Sequence, residues 1–180
     1  MSGRSEVVVP NELPPDEDWQ FLFDLCGYIV VRGVLTRRQL DAANRAVDSH
    51  SDELWQAGPR VTEHATEELQ GPARRDLRNM LGWEPQYRRP FVDMLAHPRL
   101  VPYLNVICGK GFRMDHAPTL ITQEKGAPRG NLHGSSGPGF DPNQYYIWKN
   151  NRMHNGLVVV AWQLVDVNDG DGGLAVVRGT

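Results

Sequence analysis

Apolar positions in the first hundred residues recur at helical spacing, and those after residue 111 fall in short β-rich runs. Trp19, Leu22, Phe23 and Leu25 give one apolar side after Pro14-Pro15-Asp16, a proline-led start whose acidic turn Asp16-Glu17-Asp18 suits a helix dipole. Gly27 can end that helix, and Tyr28 to Arg32 is short and β-branched, a predicted strand. Thr36 with Gln39 three residues on forms a capping box. The helix it opens carries Leu40, Ala43, Val47 and Leu54 on one face. From Ala57 to Arg89 the chain turns polar, with short helical pieces broken at Gly58-Pro59, Gly71-Pro72 and Gly82, either a cover over a pocket or a surface excursion. Pro90 and Pro98 stand at plausible first positions of two packed helices. Phe91, Met94 and Leu95 belong to one; Leu100, Val101, Leu104 and Ile107 belong to the other, which ends near Gly109.

Five later runs read as strands: Phe112 to Asp115, Thr119 to Gln123, Tyr145 to Lys149, Leu157 to Val165 and Gly173 to Arg178. Asn150-Asn151 and Gly170-Asp171-Gly172-Gly173 are the expected turns. In Leu157 to Val165 both alternating faces are mostly apolar, which predicts burial on both sides with Gln163 as the polar exception. Helices and strands are segregated rather than alternating, so the class is α+β.

Composition narrows this picture without changing it. A chain of 180 residues, 40% hydrophobic and 23% charged, suits one soluble domain, with a flexible stretch over 1–15 and the domain over 16–180. A net charge of −3 gives no reason to expect nucleic acid, and the Arg74, Arg75, Arg78 cluster is interrupted by Asp76. Cys26 and Cys108 lie in apolar settings and read as buried free thiols. The start lacks a signal-peptide pattern and the longest apolar run, Leu157 to Trp162, is too short for a membrane, so a cytoplasmic location is the expectation.

Most candidate chemistry dissolves on inspection. Gly134, Gly137 and Gly139 lack the Gly-Lys-Ser/Thr of a phosphate loop. Asp166, Asn168, Asp169 and Asp171 resemble a calcium loop, but Asp171 and Val177 stand where its glycine and glutamate belong, so a tight turn is the better reading. His50 and His64 have nothing around them, His97 marks a helix boundary before Pro98, and His116 and His154 sit at strand ends. His133 lies in Asn131-Leu132-His133-Gly134-Ser135-Ser136-Gly137-Pro138-Gly139-Phe140, either an ordinary Gly/Pro loop or a site where small neighbours let a ligand approach a metal-binding imidazole.

Three stretches together resemble the phytanoyl-CoA dioxygenase family of Fe(II)- and 2-oxoglutarate-dependent oxygenases. They are the opening from Phe23 to Thr36, the His133 loop, and Leu157 to Asn168 followed by Gly172-Gly173-Leu174-Ala175-Val176-Val177-Arg178-Gly179-Thr180. The resemblance implies N-terminal helices followed by a double-stranded β-helix, or jelly roll. It implies Fe(II) and 2-oxoglutarate as cofactors, O₂ and a small organic substrate as partners, and no membrane or nucleic acid. His133 matches the family's first metal histidine. Ser135 stands where the motif's metal-binding Asp is expected, with Asp141 outside the usual spacing. Thr122, Gln123 and Trp162, and more loosely Tyr146, would line the cosubstrate pocket by position; no side chain is assigned a catalytic role. The family's distal histidine and cosubstrate arginine have no counterpart before Thr180, which implies a domain incomplete at its C-terminal end, and a 180-residue form inactive alone. Because Ser135 is a weak neutral ligand, a halogenase-like variant and a non-catalytic jelly-roll binding domain stand as alternatives.

Overall fold

A computed structural model describes residues 8–9, 18–56, 75–123, 142, 144–168, 170–171 and 173–179. The first helix, α1 (Asp18–Cys26), ends where Gly27 takes φ +79° and returns its N–H to Phe23 O at 2.7 Å. That is the left-handed stop a glycine makes without strain. Two short parallel strands, β1 (Val8–Val9) and β2 (Val30–Val31), pair Val8 with Val30 and Val9 with Val31. β1 lies inside the stretch predicted to be flexible.

Helix α2 (Arg37–Asp48) opens on the capping box predicted from sequence: Gln39 N–H donates to Thr36 Oγ1, and Thr36 N–H donates to Gln39 Oε1 at 2.9 Å. It buries Ala43 and Ala46, small residues that let α3 (Pro85–Leu95) approach closely. Leu54 lies beyond α2, after a 3₁₀ turn at Ser51–Glu53. The predicted start of α3 at Pro90 is corrected: Pro85 takes the first turn, and Pro90 sits in the sixth helical position. There it removes one donor, and burial of Phe91 and Met94 offsets the lost hydrogen bond. The next helix, α4 (Val101–Ile107), ends before Gly109, with Pro102 rather than Pro98 in its first turn.

Strands β3 (Trp55–Gln56), β4 (Arg75–Leu77) and β5 (Leu120–Thr122) form one antiparallel sheet in that order, pairing Trp55 with Asp76 and Asp76 with Ile121. Part of the polar excursion predicted over 57–89 is therefore sheet and α3. Strands β6 (Tyr146–Lys149) and β7 (Arg152–Asn155) form a hairpin joined by Asn150 and Asn151 at φ +55° and +56°. Two successive left-handed residues make the turn whose twist matches a hairpin, and asparagine tolerates that backbone.

Three predicted strands are not formed among the described residues. Phe112 to Asp115 is irregular, with a bend only at Asp115, and follows Gly109 and Gly111, both at positive φ. Leu157 to Val165 and the described part of Gly173 to Arg178 have no ladder partner. A β-prone run becomes a strand only when another backbone takes up its hydrogen bonds, and composition cannot supply the neighbour. Burial of Leu157 to Val165 on both sides is likewise overturned. Val158 packs on the cluster of Trp19, Tyr103, Ile107 and Met153, while Trp162 and Leu164 pack on the cluster around Leu77, Met80, Trp83 and Phe91. Val159 (73% exposed), Gln163 and Val165 (67%) face outward. Asn44 Nδ2 donates to Leu164 O at 2.8 Å and pins this extended segment to α2.

The β elements thus lie as a layer on the helices. Leu77, Leu120, Met153, Val158, Trp162 and Leu164 enter the two clusters, while Ile121, Ile147, Val159 and Val165 point away. The architecture is α+β, with two small antiparallel sheets and one parallel strand pair among the described residues.

Candidate functional site

The predicted metal ligands His133 and Ser135, together with Asp141, lie outside the described residues. The predicted pocket residues can be placed. Thr122, half-buried at the end of β5, donates from Oγ1 to Arg75 O at 3.1 Å, so its hydroxyl is committed to the neighbouring strand. Gln123 follows it and is exposed. Trp162 is half-buried against the helical cluster, and its ring meets that of His97 edge-on, centroids 5.8 Å apart at 67°. Tyr146 is exposed at the start of β6; burial and the nearby Asp24 carboxylate push its phenol pKa up. Asp24 Oδ1 is buried with no hydrogen-bond partner, and desolvation raises its carboxyl pKa.

Two histidines that sequence reasoning passed over prove to be built into the core. His97 is only 6% exposed, with Gln39 Nε2 at 3.4 Å from its Nε2 and Arg99 N–H directed at its Nδ1 at 3.3 Å. His50 follows the C-terminal end of α2, stacked on Trp83 at 3.8 Å and 10°, with Tyr87 edge-on at 5.0 Å. Its Nδ1 donates to Ala46 O at 2.8 Å and its Nε2 faces Glu84 Oε2 at 3.8 Å. The reading that nothing surrounds His50 is therefore corrected. The cue was present: Trp83, just before α3, and Tyr87, in its first turn, stand four apart, but nothing local told which helix they would meet.

His116 and His154 are exposed, and His116 Nδ1 pairs with Asp115 Oδ2 at 3.0 Å. Asp171 accepts from Asn168 N–H at 2.9 Å and from its Nδ2 at 3.2 Å, contacts that close a turn between these two residues, while Asp169 lies outside the described residues. Cys26 is a buried free thiol as expected, but Cys108 is exposed because it caps the end of α4. A depression between α2 and α3, lined by Arg45, Asp48, Gln86 and Tyr87 among others, holds none of the predicted site residues. Among the described residues no group of three or more His, Cys, Asp or Glu stands close enough to hold a metal ion.

The segment geometry and the sequence motifs meet in one comparison. The phytanoyl-CoA dioxygenase (PhyH) family model matches residues 23–180, from the last part of α1 through the His133 loop to the final residue. This chain belongs to the phytanoyl-CoA dioxygenase family. No curated protein matches it, and no solved structure does. Membership makes the chain, at family level, an Fe(II)- and 2-oxoglutarate-dependent oxygenase-like protein. Family members use O₂ and small-molecule substrates. Among the described residues, no helix is long and apolar enough to cross a membrane.

Proposed function

We propose that this phytanoyl-CoA dioxygenase family protein is an Fe(II)- and 2-oxoglutarate-dependent oxygenase that hydroxylates a small organic substrate. The observation that carries the reading is the family match over residues 23–180, which includes the His133 loop. On the donor chemistry of this chain, His133 supplies an imidazole suited to Fe(II), and Ser135 supplies a neutral hydroxyl where the family motif has a carboxylate. That set fits a metal held more weakly than usual, with a position left for an exogenous ligand. Bound iron and 2-oxoglutarate would supply the activation of O₂; the chain supplies the binding surface and keeps bulk water out. Thr122, Gln123 and Trp162 are proposed for the cosubstrate side. The one-sided β layer supports a jelly-roll arrangement, because a second sheet facing Val159 and Val165 would cover apolar surface that the helices leave open.

Ser135 also favours a second reading, in which the site takes a halide at the metal or binds without turnover. Anaerobic titration of a full-length form with Fe(II) and 2-oxoglutarate should give the weak visible charge-transfer band of the chelate. No band, together with no 2-oxoglutarate consumption in air, refutes the oxygenase. Ser135→Asp separates the alternatives: tighter iron and gained turnover identify a lapsed site. Loss of an existing, chloride-dependent product identifies Ser135 as functional.

A further inference from the structure

The depression between α2 and α3 offers about 540 Å³ of open space, a volume that suits a small organic molecule. Ala42, Arg45 and Ala46 line it from one face of α2, and Gln86 and Tyr87 line it from the first turn of α3. The two alanines leave open the space that longer side chains would fill, and they make that wall apolar. The polar groups around them are unspent. Among the described residues no hydrogen bond or ion pair engages the Arg45 guanidinium, the Asp48 carboxylate, the Gln86 amide or the Tyr87 phenol. Arg45 and Asp48 stand three apart on α2, a spacing at which opposite charges can meet, yet they form no ion pair. Arg45 suits the C-terminal end of the helix. Asp48 does not: as the last helical residue it sets a negative charge against the negative end of the helix dipole.

We infer that this depression is a binding site for a small aliphatic α-amino acid, with the ammonium on Asp48 and the carboxylate on Arg45. A free amino acid carries both charges on one carbon, and α2 presents both complements within one turn. The ammonium answers the charge that Asp48 and the end of α2 leave uncompensated. The Tyr87 ring is a further surface that attracts a cation. Arg45 takes the carboxylate in its planar fork of donors. The ligand side chain lies against Ala42 and Ala46, whose methyl groups have room for an aliphatic group and nothing to hydrogen-bond a polar one. A simple amine would leave Arg45 unanswered, and a simple acid would leave Asp48 unanswered. The inference is independent of the oxygenase reading, since no residue assigned to iron or 2-oxoglutarate lines the depression.

The test uses the intact 180-residue chain and three probes that share one carbon skeleton. They are L-leucine, 3-methylbutylamine, which lacks the carboxylate, and 4-methylpentanoate, which lacks the ammonium. Binding is read by isothermal titration calorimetry. L-leucine should saturate in the millimolar range or below and bind more tightly than either half-molecule. Asp48→Asn should weaken L-leucine about two- to fivefold, the size of one exposed charge contact. It should weaken the amine as well and leave the acid no weaker. Arg45→Gln should do the reverse, weakening L-leucine and the acid but not the amine. Ala42→Leu fills the space and should abolish binding, with urea unfolding showing that the fold is kept. Should Ala42→Leu fail to fold, the two charge variants, both at exposed positions, decide the matter. L-leucine that does not saturate overturns the inference, as does a half-molecule that binds as tightly as L-leucine. Charge variants that weaken all three probes alike, or a folded Ala42→Leu that still binds, overturn it too. No iron or 2-oxoglutarate enters the measurement, so failure of the oxygenase reading leaves the result standing.

Discussion

Leu164 and Val165 are adjacent in sequence and opposite in fate, which makes them a sharp test of how the β layer lies on the helices. Leu164 is 9% exposed, packs into the cluster around Leu77 and Trp83, and has its carbonyl held by Asn44. Val165 is 67% exposed. Truncating a buried leucine to alanine removes its transfer free energy and leaves a cavity, together about 2–4 kcal/mol at a site able to collapse partly toward solvent. Truncating the exposed valine should cost about 0.5 kcal/mol or less. For a domain of this size roughly 1 kcal/mol moves Tm by about 2–4 °C, so Leu164→Ala should lower Tm by about 4–15 °C and Val165→Ala by no more than about 2 °C. Urea unfolding followed by tryptophan fluorescence, with m-values compared, measures both. An unchanged m with a large fall in Cm for Leu164→Ala alone is the expected result. Equal losses for the two variants would refute the one-sided layer and mean that Val165 too is covered, as the second sheet of the proposed jelly roll would do.

Asn151→Val should destabilise the β6–β7 hairpin by about 1–2 kcal/mol, since a β-branched residue resists the left-handed backbone seen at φ +56°, whereas Asn151→Gly should be close to neutral; thermal melts of the two variants check this. Asp24 carries a pKa raised by desolvation, so its protonated form is the one the fold prefers. The sign follows: its contribution is fully present below the ordinary carboxyl pKa and is lost as pH rises through the raised value. Asp24→Asn should therefore stabilise the protein near neutrality and leave stability at strongly acidic pH almost unchanged; a stabilisation independent of pH would refute the linkage.

What the sequence made legible was local. The capping box at Thr36 and Gln39, the glycine stop at Gly27 and the asparagine turn at 150–151 are each specified within a few residues, and all three formed. Strand formation was legible only where a partner came with it. Tyr146 to Lys149 had its partner two residues beyond its end, while Leu157 to Val165 satisfies the same β-propensity and finds none among the described residues. Pro90 misled because a proline at a helix start and one tolerated inside a helix look alike until the buried neighbours are known. Position along the chain singled out Trp162, but its edge-on contact with His97 joins residues 65 apart, and nothing near either residue announces it.

The closing turn of the described chain has a consequence for the order of assembly. Arg178 Nη2 donates to Cys26 Sγ at 3.4 Å and Gly179 N–H to Cys26 O at 3.0 Å, joining residues 152 positions apart. Loop closure over that span costs on the order of 4 kcal/mol in chain entropy, so these contacts form late, after the two clusters have already drawn the intervening chain together. During synthesis Cys26, at the end of α1, must wait until residues 178 and 179 have been made before these contacts can cover it. Until then the Cys26 thiol has no strap over it, and its reactivity toward a thiol reagent is a clock for the closing of this contact.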